Sequence, residues 1–130
     1  MCADPSYHIL FVEDHEDTRL VMQLLLQSCG YGCTCAGTCA EAIELAGTRR
    51  FDLLIADIGM PDGDGLELLE RICSMYPVPG IALTAYGMQA DIDRARAAGF
   101  KRHLLKPVGR DELCSAVEAA MLPAQQKSAR

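Results

Sequence analysis

Five polar residues stand at the ends of four apolar runs, and their types suit phosphoryl transfer. Glu13 and Asp14 follow the run HILFV, and Asp57 follows FDLLIA. Thr84 lies in GIALTA, and Lys106 ends RHLLK. Each residue alone is typical of a loop or a strand end. Together they form a stronger pattern, because a carboxylate can attack phosphorus while a lysine ammonium and a threonine hydroxyl bind the transferred oxygens.

The three acids also predict a divalent cation. Carboxylates that converge repel one another unless a proton or a cation lies between them. Mg²⁺ binds carboxylates, carbonyl oxygens and water and leaves a position for a phosphoryl oxygen, whereas zinc favours nitrogen and sulfur ligands. If Glu13, Asp14 and Asp57 meet in the fold, we expect a magnesium site.

The acidic stretch ADIGMPDGDGLE, residues 56–67, fits other sites poorly. An EF-hand calcium loop beginning at Asp57 needs an acid at its third position and Glu at its twelfth, where the chain has Gly59 and Leu68. The Gly-rich motifs of nucleotide-binding loops are absent from the sequence. A phosphatase of the haloacid dehalogenase type needs a second acid two residues after its nucleophile, and that position is again Gly59. The proline and glycines after Asp57 are expected to shape a loop.

The elements that must position these residues follow a repeating pattern. Five apolar runs of strand length alternate with five segments of helical periodicity. The predicted strands are residues 8–12, 32–36, 51–56, 80–85 and 102–106. Strands that are apolar throughout and separated by helices predict a parallel sheet covered on both faces, with ligands bound beyond the carboxyl ends of the strands.

The helical segments carry start and stop signals. The first begins with Asp17 or Thr18 as its cap and ends near Gly30, and the second opens with a capping box formed by Thr38 and Glu41. The segment YPVPG stops the third. The fourth, about residues 88–98, is polar and ends at a glycine, so we expect it to be the least firmly packed helix.

Helical spacing predicts which side chains face the core. The predicted inward residues of the first, second, third and fifth helices are Val21, Leu24, Leu25; Ala42, Ile43, Leu45, Ala46; Leu66, Leu69, Ile72, Cys73; and Leu113, Ala116, Val117, Ala120, Met121.

Composition narrows the class of protein. The 130 residues are 50% hydrophobic, which suits one folded domain. The net charge of −6 argues against the positively charged surface that nucleic-acid binding needs. The apolar runs are too short to span a bilayer and the N-terminus lacks a signal pattern, so we expect a cytoplasmic protein with no membrane contact. The seven cysteines form no C-x-x-C motif and are expected to be small buried residues.

Four segments resemble the receiver domains of bacterial two-component response regulators. They are ILFVEDHEDTR, FDLLIADIGMPDGDGLELL, IALTAYG and GFKRHLLKPV, in the order and spacing of that family. The resemblance implies an α/β, flavodoxin-like, doubly wound sheet of five parallel strands in the order 2-1-3-4-5. It places the receiver domain at residues 7–122, after an N-terminal extension of residues 1–6 and before a C-terminal tail of residues 123–130.

The same resemblance implies a role for each site residue. Asp57 takes the phosphoryl group from a phosphohistidine on a histidine kinase or a histidine phosphotransfer domain. Glu13, Asp14, Asp57 and the backbone carbonyl of Gly59 hold Mg²⁺. The phosphoryl group is bound by Thr84 and Lys106, and the peptide bond from Lys106 to Pro107 is often cis in the family.

The resemblance also implies a switch. Phosphorylation draws Thr84 inward and remodels the face formed by helix four and strand five, where the family has a rotating aromatic residue and this sequence has His103. An exposed histidine with no switching role is an equal alternative. Gly59 and Tyr86 occupy positions that tune hydrolysis of the phosphoryl group.

Three functions remain open from the sequence alone. The intact set of site residues favours a signalling switch that catalyses only its own phosphorylation and dephosphorylation. Its partners would be the phosphodonor and a downstream protein or covalently linked output domain, such as the kinase of a hybrid sensor, with homodimerisation as a further outcome. The alternatives are a phosphorylation-independent interaction scaffold and a small phosphatase.

Overall fold

The computed structural model describes residues 7–60, 63–85, 89–106 and 108–121, in which five parallel strands form one sheet. The strands are β1 (His8–Val12), β2 (Gly32–Ala36), β3 (Leu53–Asp57), β4 (Gly80–Thr84) and β5 (Arg102–Leu105). Their order across the sheet is β2-β1-β3-β4-β5. This order confirms the predicted flavodoxin-like fold.

Five helices cover the two faces of the sheet. They are α1 (Glu16–Ser28), α2 (Cys39–Thr48), α3 (Gly65–Cys73), α4 (Gln89–Ala98) and α5 (Arg110–Met121). Between β3 and α3, Gly59–Met60 pairs antiparallel with Gly63–Asp64. No helix in the described part of the chain combines the length and the apolar character needed to cross a bilayer.

The caps explain where several helices begin and end. Thr38 Oγ1 accepts a hydrogen bond from the Glu41 amide at 3.0 Å, which confirms the predicted cap of α2, while Glu41 Oε1 accepts from the Gly37 amide at 2.8 Å. Gly30 and Gly99 have φ angles of 98° and 110° just after α1 and α4, a conformation that favours glycine. The predicted cap of α1 was wrong, because that helix begins after His15, whose side chain makes no capping hydrogen bond.

The side chains of each central strand point alternately into two separate apolar cores. From β1, Ile9 and Phe11 point toward α1 and α5, whereas Leu10 and Val12 point toward α2, α3 and α4. The first core includes Met22, Leu26, Leu113 and Val117, and the second includes Ala42, Leu68, Leu69 and Ile72. Burial on both faces is the reason that the central strands β1, β3 and β4 are mainly apolar, whereas β5 at the edge is mostly exposed.

The predicted inward face of α1 was wrong in phase. Met22 and Leu26 are buried, whereas the exposed fractions of Val21 and Leu24 are 54% and 57%. Leu25 is partly buried. Because apolar residues occur all around this helix, its periodicity did not identify the buried side.

The other helices follow their predictions more closely. In α4 the buried residue is Ala95, consistent with a lightly packed helix. In α3, Leu69 and Ile72 are buried as predicted, but Cys73 is exposed and Leu68 is buried instead. The side chain of Met121 lies outside the described residues.

A disulfide bond joins Cys29, directly after α1, to Cys114 in α5. The two Cα atoms are 6.4 Å apart, and 85 positions separate the residues in sequence. Arg110 contacts the same end of α1, donating hydrogen bonds to the hydroxyl and carbonyl oxygens of Ser28 at 2.9 and 3.2 Å. The expectation that the cysteines are only small buried residues was therefore wrong for this pair.

Candidate functional site

The sheet brings the predicted site residues to one edge because its strands are parallel. Ala56 of β3 lies opposite Val12 of β1, so Asp57 comes next to the position of Glu13. On the other side of β3, Asp57 pairs with Leu83, and Thr84 follows directly. The register of β4 and β5 pairs Thr84 with Leu105, which places Lys106 at the same edge.

Lys106 connects two of the predicted acids. Its Nζ atom lies 2.5 Å from Asp57 Oδ2 and 2.8 Å from Glu13 Oε1. Its backbone amide donates to the carbonyl oxygen of Thr84 at 2.8 Å, which fixes the point where the chain leaves β5. Residues 13, 57 and 106 therefore meet as the sequence predicts.

The pKa of Lys106 reflects these contacts. Partial burial alone would lower the pKa of this ammonium group, since burial disfavours the charged form. Hydrogen bonds to Asp57 and Glu13, together with the negative charges of both, outweigh burial and raise the pKa above its usual value. Lys106 is therefore a permanent positive charge at neutral pH.

Glu13 is completely buried at the end of β1. Its Oε2 atom accepts a hydrogen bond from the backbone amide of His15 at 3.2 Å, while its Oε1 atom faces the Lys106 ammonium at 2.8 Å. Arg19 donates to the Glu13 carbonyl oxygen at 2.9 Å. The Lys106 ammonium therefore offsets the charge of this buried carboxylate.

Asp57 is 8% exposed and lines the cleft at the strand ends. Oδ1 accepts a hydrogen bond from the Gly59 amide at 2.9 Å, and Oδ2 faces Lys106. Gly65 packs against the strand end, since a Cβ atom there would lie 2.7 Å from the Asp57 carbonyl oxygen. The start of α3 therefore needs glycine in order to approach the phosphoacceptor candidate.

The cleft above the strand ends has a volume of about 380 Å³. Its lining residues include acids, a hydroxyl and two cations: Asp14, His15, Asp57, Gly59, Thr84, Asp91, Arg94 and Lys106. Thr84 is 5% exposed, whereas the side chain of Asp14 is 29% exposed at the rim. Asp14 and Lys106 thus face one cavity.

Two of the predicted acids, Glu13 and Asp14, fit a divalent cation by chemistry and by position, whereas Asp57 does not belong to the same close group. Glu13, Asp14 and His15 each offer a ligand atom, and these atoms all lie within 4.8 Å of one another. The carboxylate oxygens of Glu13 and Asp14 suit a hard ion such as Mg²⁺. His15 and Gly65 were not assigned to the site from the sequence. For His15 a signal was available, because it directly follows the acids Glu13 and Asp14.

Other residues singled out from the sequence lie outside the cleft or outside the described residues. His103 is exposed on β5, beside a small hollow of about 20 Å³ that it shares with Ile92, Ala95 and Phe100, so it lies on the face of α4 and β5 and not in the cleft. Tyr86 and Pro107 lie outside the described residues.

A doubly wound parallel sheet of this strand order, with an acidic, lysine-containing cleft at its carboxyl edge, defines a flavodoxin-like α/β domain. Residues 9–118 match the family model of the response regulator receiver domain. The chain belongs to that family.

Its relatives include both short and long proteins. The chain is 37% identical over 113 residues to an uncharacterised 14.6 kDa protein of Leptolyngbya boryana. This match covers 85% of this chain and 86% of that relative. It is 38% identical over 112 residues to the transcriptional regulatory protein PmrA of Pectobacterium parmentieri, covering 85% of this chain and 50% of that protein. The chain thus spans about half the length of that regulator.

A similar solved structure carries a metal ion. The receiver domain of a sensor histidine kinase from Pseudomonas aeruginosa, with magnesium coordinated in its active site cleft, superimposes with a TM-score of 0.80 at 32% identity. The match covers 88% of this chain and 96% of that one.

Proposed function

We propose that this receiver domain accepts a phosphoryl group on Asp57 in a two-component phosphorelay. The observation that carries the proposal is the setting of the Asp57 carboxylate, which is buried, held by Gly59 and Lys106, and open to a cleft that Asp14 and Thr84 also line. A carboxylate held in this way has a fixed direction of attack.

Four groups would hold Mg²⁺ in the cleft. They are the carboxylates of Glu13, Asp14 and Asp57 and the backbone carbonyl of Gly59. When bound, the ion supplies positive charge that offsets the negative charge of the phosphoryl oxygens.

The transfer itself moves a phosphoryl group between two proteins. The phosphorus–nitrogen bond of a donor phosphohistidine breaks as a phosphorus–oxygen bond to the Asp57 carboxylate forms, and the donor imidazole gains a proton from solvent. The Lys106 ammonium neutralises charge on the transferred group, and the Thr84 hydroxyl donates to one of its oxygens. Water later cleaves the acyl phosphate, releasing inorganic phosphate and restoring Asp57; Gly59 has no side chain to block it.

Phosphorylation would switch the face formed by α4 and β5. The phosphoryl group adds about −1.5 to −2 charge next to Thr84. Lys106 and Thr84 are linked through their backbones, so a shift of β4 reaches β5 directly. Since α4 buries few side chains, this face can rearrange at low cost, and His103 is the residue on β5 that would turn.

The phosphodonor would be a histidine kinase or a histidine phosphotransfer domain, and the output partner would bind the α4 and β5 face. An apolar groove of about 450 Å³ between α1 and the start of α5 runs from Val21 and Met22 to Val108 and Lys106. This groove adjoins the cleft, so a donor seated on it would bring its phosphohistidine to Asp57.

Intact mass measurement after incubation with Mg²⁺ and acetyl phosphate tests the proposal. We expect one phosphoryl adduct on the wild type and none on Asp57→Asn. Asp52→Asn is the matched control, because Asp52 is an exposed acid at the opposite end of the same strand and should leave the adduct in place.

The remaining outcomes separate the alternatives. An adduct that persists in Asp57→Asn contradicts the assignment of the phosphoacceptor. A folded wild type that never gains an adduct favours the phosphorylation-independent scaffold. Repeated turnover of a phosphoprotein substrate favours the phosphatase.

A further inference from the structure

His15 stands beside the acids of the cleft and has no part in the function proposed so far. Its Nδ1 atom is 3.2 Å from Glu13 Oε2 and 3.6 Å from Asp14 Oδ1. Its side chain is 74% exposed and lines the same cleft as Asp57. The imidazole therefore points one nitrogen at both carboxylates from the solvent side.

The first of these separations lies in the range expected for two ligands on one metal ion, and the second is slightly longer. Nitrogen and oxygen ligands lie about 2.0–2.2 Å from a first-row divalent ion, so neighbouring ligands in octahedral or tetrahedral geometry are about 3.0–3.5 Å apart. A divalent cation placed between Nδ1 and the two carboxylates would be within reach of all three groups.

We propose that His15 is a direct ligand of the cation in this cleft, giving the site a nitrogen donor and a preference for Mn²⁺ and related first-row divalent ions over Mg²⁺. Imidazole binds transition-metal ions better than it binds Mg²⁺, which takes oxygen ligands. The inference rests on the proposed function, since the same ion would serve the transfer to Asp57.

The local structure makes His15 a clean position for a test. The side chain is exposed and makes no capping hydrogen bond to α1, so His15→Ala removes the nitrogen without removing a helix cap. His15→Gln is the second variant, because its amide can still donate to Glu13 but is a poor metal ligand. His103→Ala controls for the loss of an exposed imidazole far from the cleft.

Calorimetric titration with MnCl₂ and MgCl₂ gives the first readout. We expect the wild type to bind Mn²⁺ at least about tenfold more tightly than Mg²⁺. Both His15 variants should lose about tenfold in Mn²⁺ affinity and less than about threefold in Mg²⁺ affinity, while His103→Ala changes neither. Mn²⁺ affinity restored by His15→Gln would show that the residue only positions Glu13, which overturns the proposal.

Pulsed electron paramagnetic resonance of bound Mn²⁺ gives the second readout. The wild type should show coupling to a directly bonded nitrogen, and His15→Ala should not. Absence of that coupling in the wild type overturns the assignment of His15 and leaves the function of Asp57 standing, provided that acetyl phosphate and Mg²⁺ still give the adduct. Loss of the adduct itself would instead contradict the proposed function.

Discussion

The two sides of the sheet are built differently. On one side, α1 and α5 are joined by the Cys29–Cys114 disulfide and share a core in which Leu26 and Val117 are fully buried. On the other side, α4 contributes the buried residue Ala95 and is otherwise polar or partly exposed. The cleft lies between these regions. A charge added at Asp57 is therefore expected to displace α4 more easily than α1.

The disulfide gives the largest expected difference. In the chain-entropy model, a link that closes 85 residues stabilises the folded state by about 4–5 kcal/mol. We expect the double variant Cys29→Ala, Cys114→Ala to lose up to that amount in urea unfolding. A reductant should destabilise the wild type similarly and leave the variant unchanged.

Cys73→Ala is the control, because Cys73 is an exposed free thiol in α3. Equal stability of the double variant and the wild type without reductant would show that the two helices need no covalent link.

A pair of leucines in α1 gives the next largest effect. Leu26→Ala should lower the free energy of unfolding by about 2–5 kcal/mol because it opens a cavity in the α1 and α5 core. Leu24→Ala, two residues earlier and 57% exposed, should change it by less than about 0.5 kcal/mol. Reversed effects would mean that the phase predicted from the sequence is right after all.

The α4 side should respond more weakly. Ala95→Gly is expected to cost about 1 kcal/mol, mainly from the lower helix propensity of glycine. Hydrogen exchange provides the direct comparison, since α4 amides should exchange through local opening at a lower free energy than those of α1. Equal protection of the amides of α1 and α4 would contradict the view that α4 is the more easily displaced helix.

A small pH effect is expected from His8, at the start of β1. Burial lowers the pKa of His8, and Arg49 lowers it further against an opposing effect of Asp52. Because the unfolded chain then binds the proton more tightly, stability is full above about pH 6.5 and falls as the pH drops toward the lower folded pKa.

We expect His8→Gln to flatten this dependence in urea midpoints measured between pH 7 and 5. Asp52→Asn should steepen it, since Asp52 is the group that raises the pKa. An unchanged profile in His8→Gln would assign the acid sensitivity to other groups.

Particular elements show what the sequence could predict. The bounds of β1 were right because an apolar run that is buried on both faces is also a strand from end to end. The bounds of β2 were also right, although this edge strand is mostly half-buried. The phase of α1 was wrong because Leu20, Val21 and Leu24 are apolar but exposed, so burial had to be decided by the packing of α5.

The meeting of three candidate residues at one edge of the sheet was predicted correctly, for a physical reason. Parallel strands send their carboxyl ends to one edge, so the strand bounds alone place Asp57, Thr84 and Lys106 together. Partners that are distant in sequence and outside the strand ends were not predictable in this way. The link from Cys29 to Cys114 and the orientation of His15 both depend on helix positions that no local pattern specifies.

The central claim is that Asp57 becomes an acyl phosphate, and borohydride trapping tests it most directly. Borohydride reduces an aspartyl phosphate to homoserine, which peptide mass spectrometry can locate. After treatment with acetyl phosphate and Mg²⁺, we predict homoserine at position 57 and unmodified Asp14 and Asp52. Homoserine at another acid, or its absence from a protein that carries a phosphoryl adduct, would contradict the account.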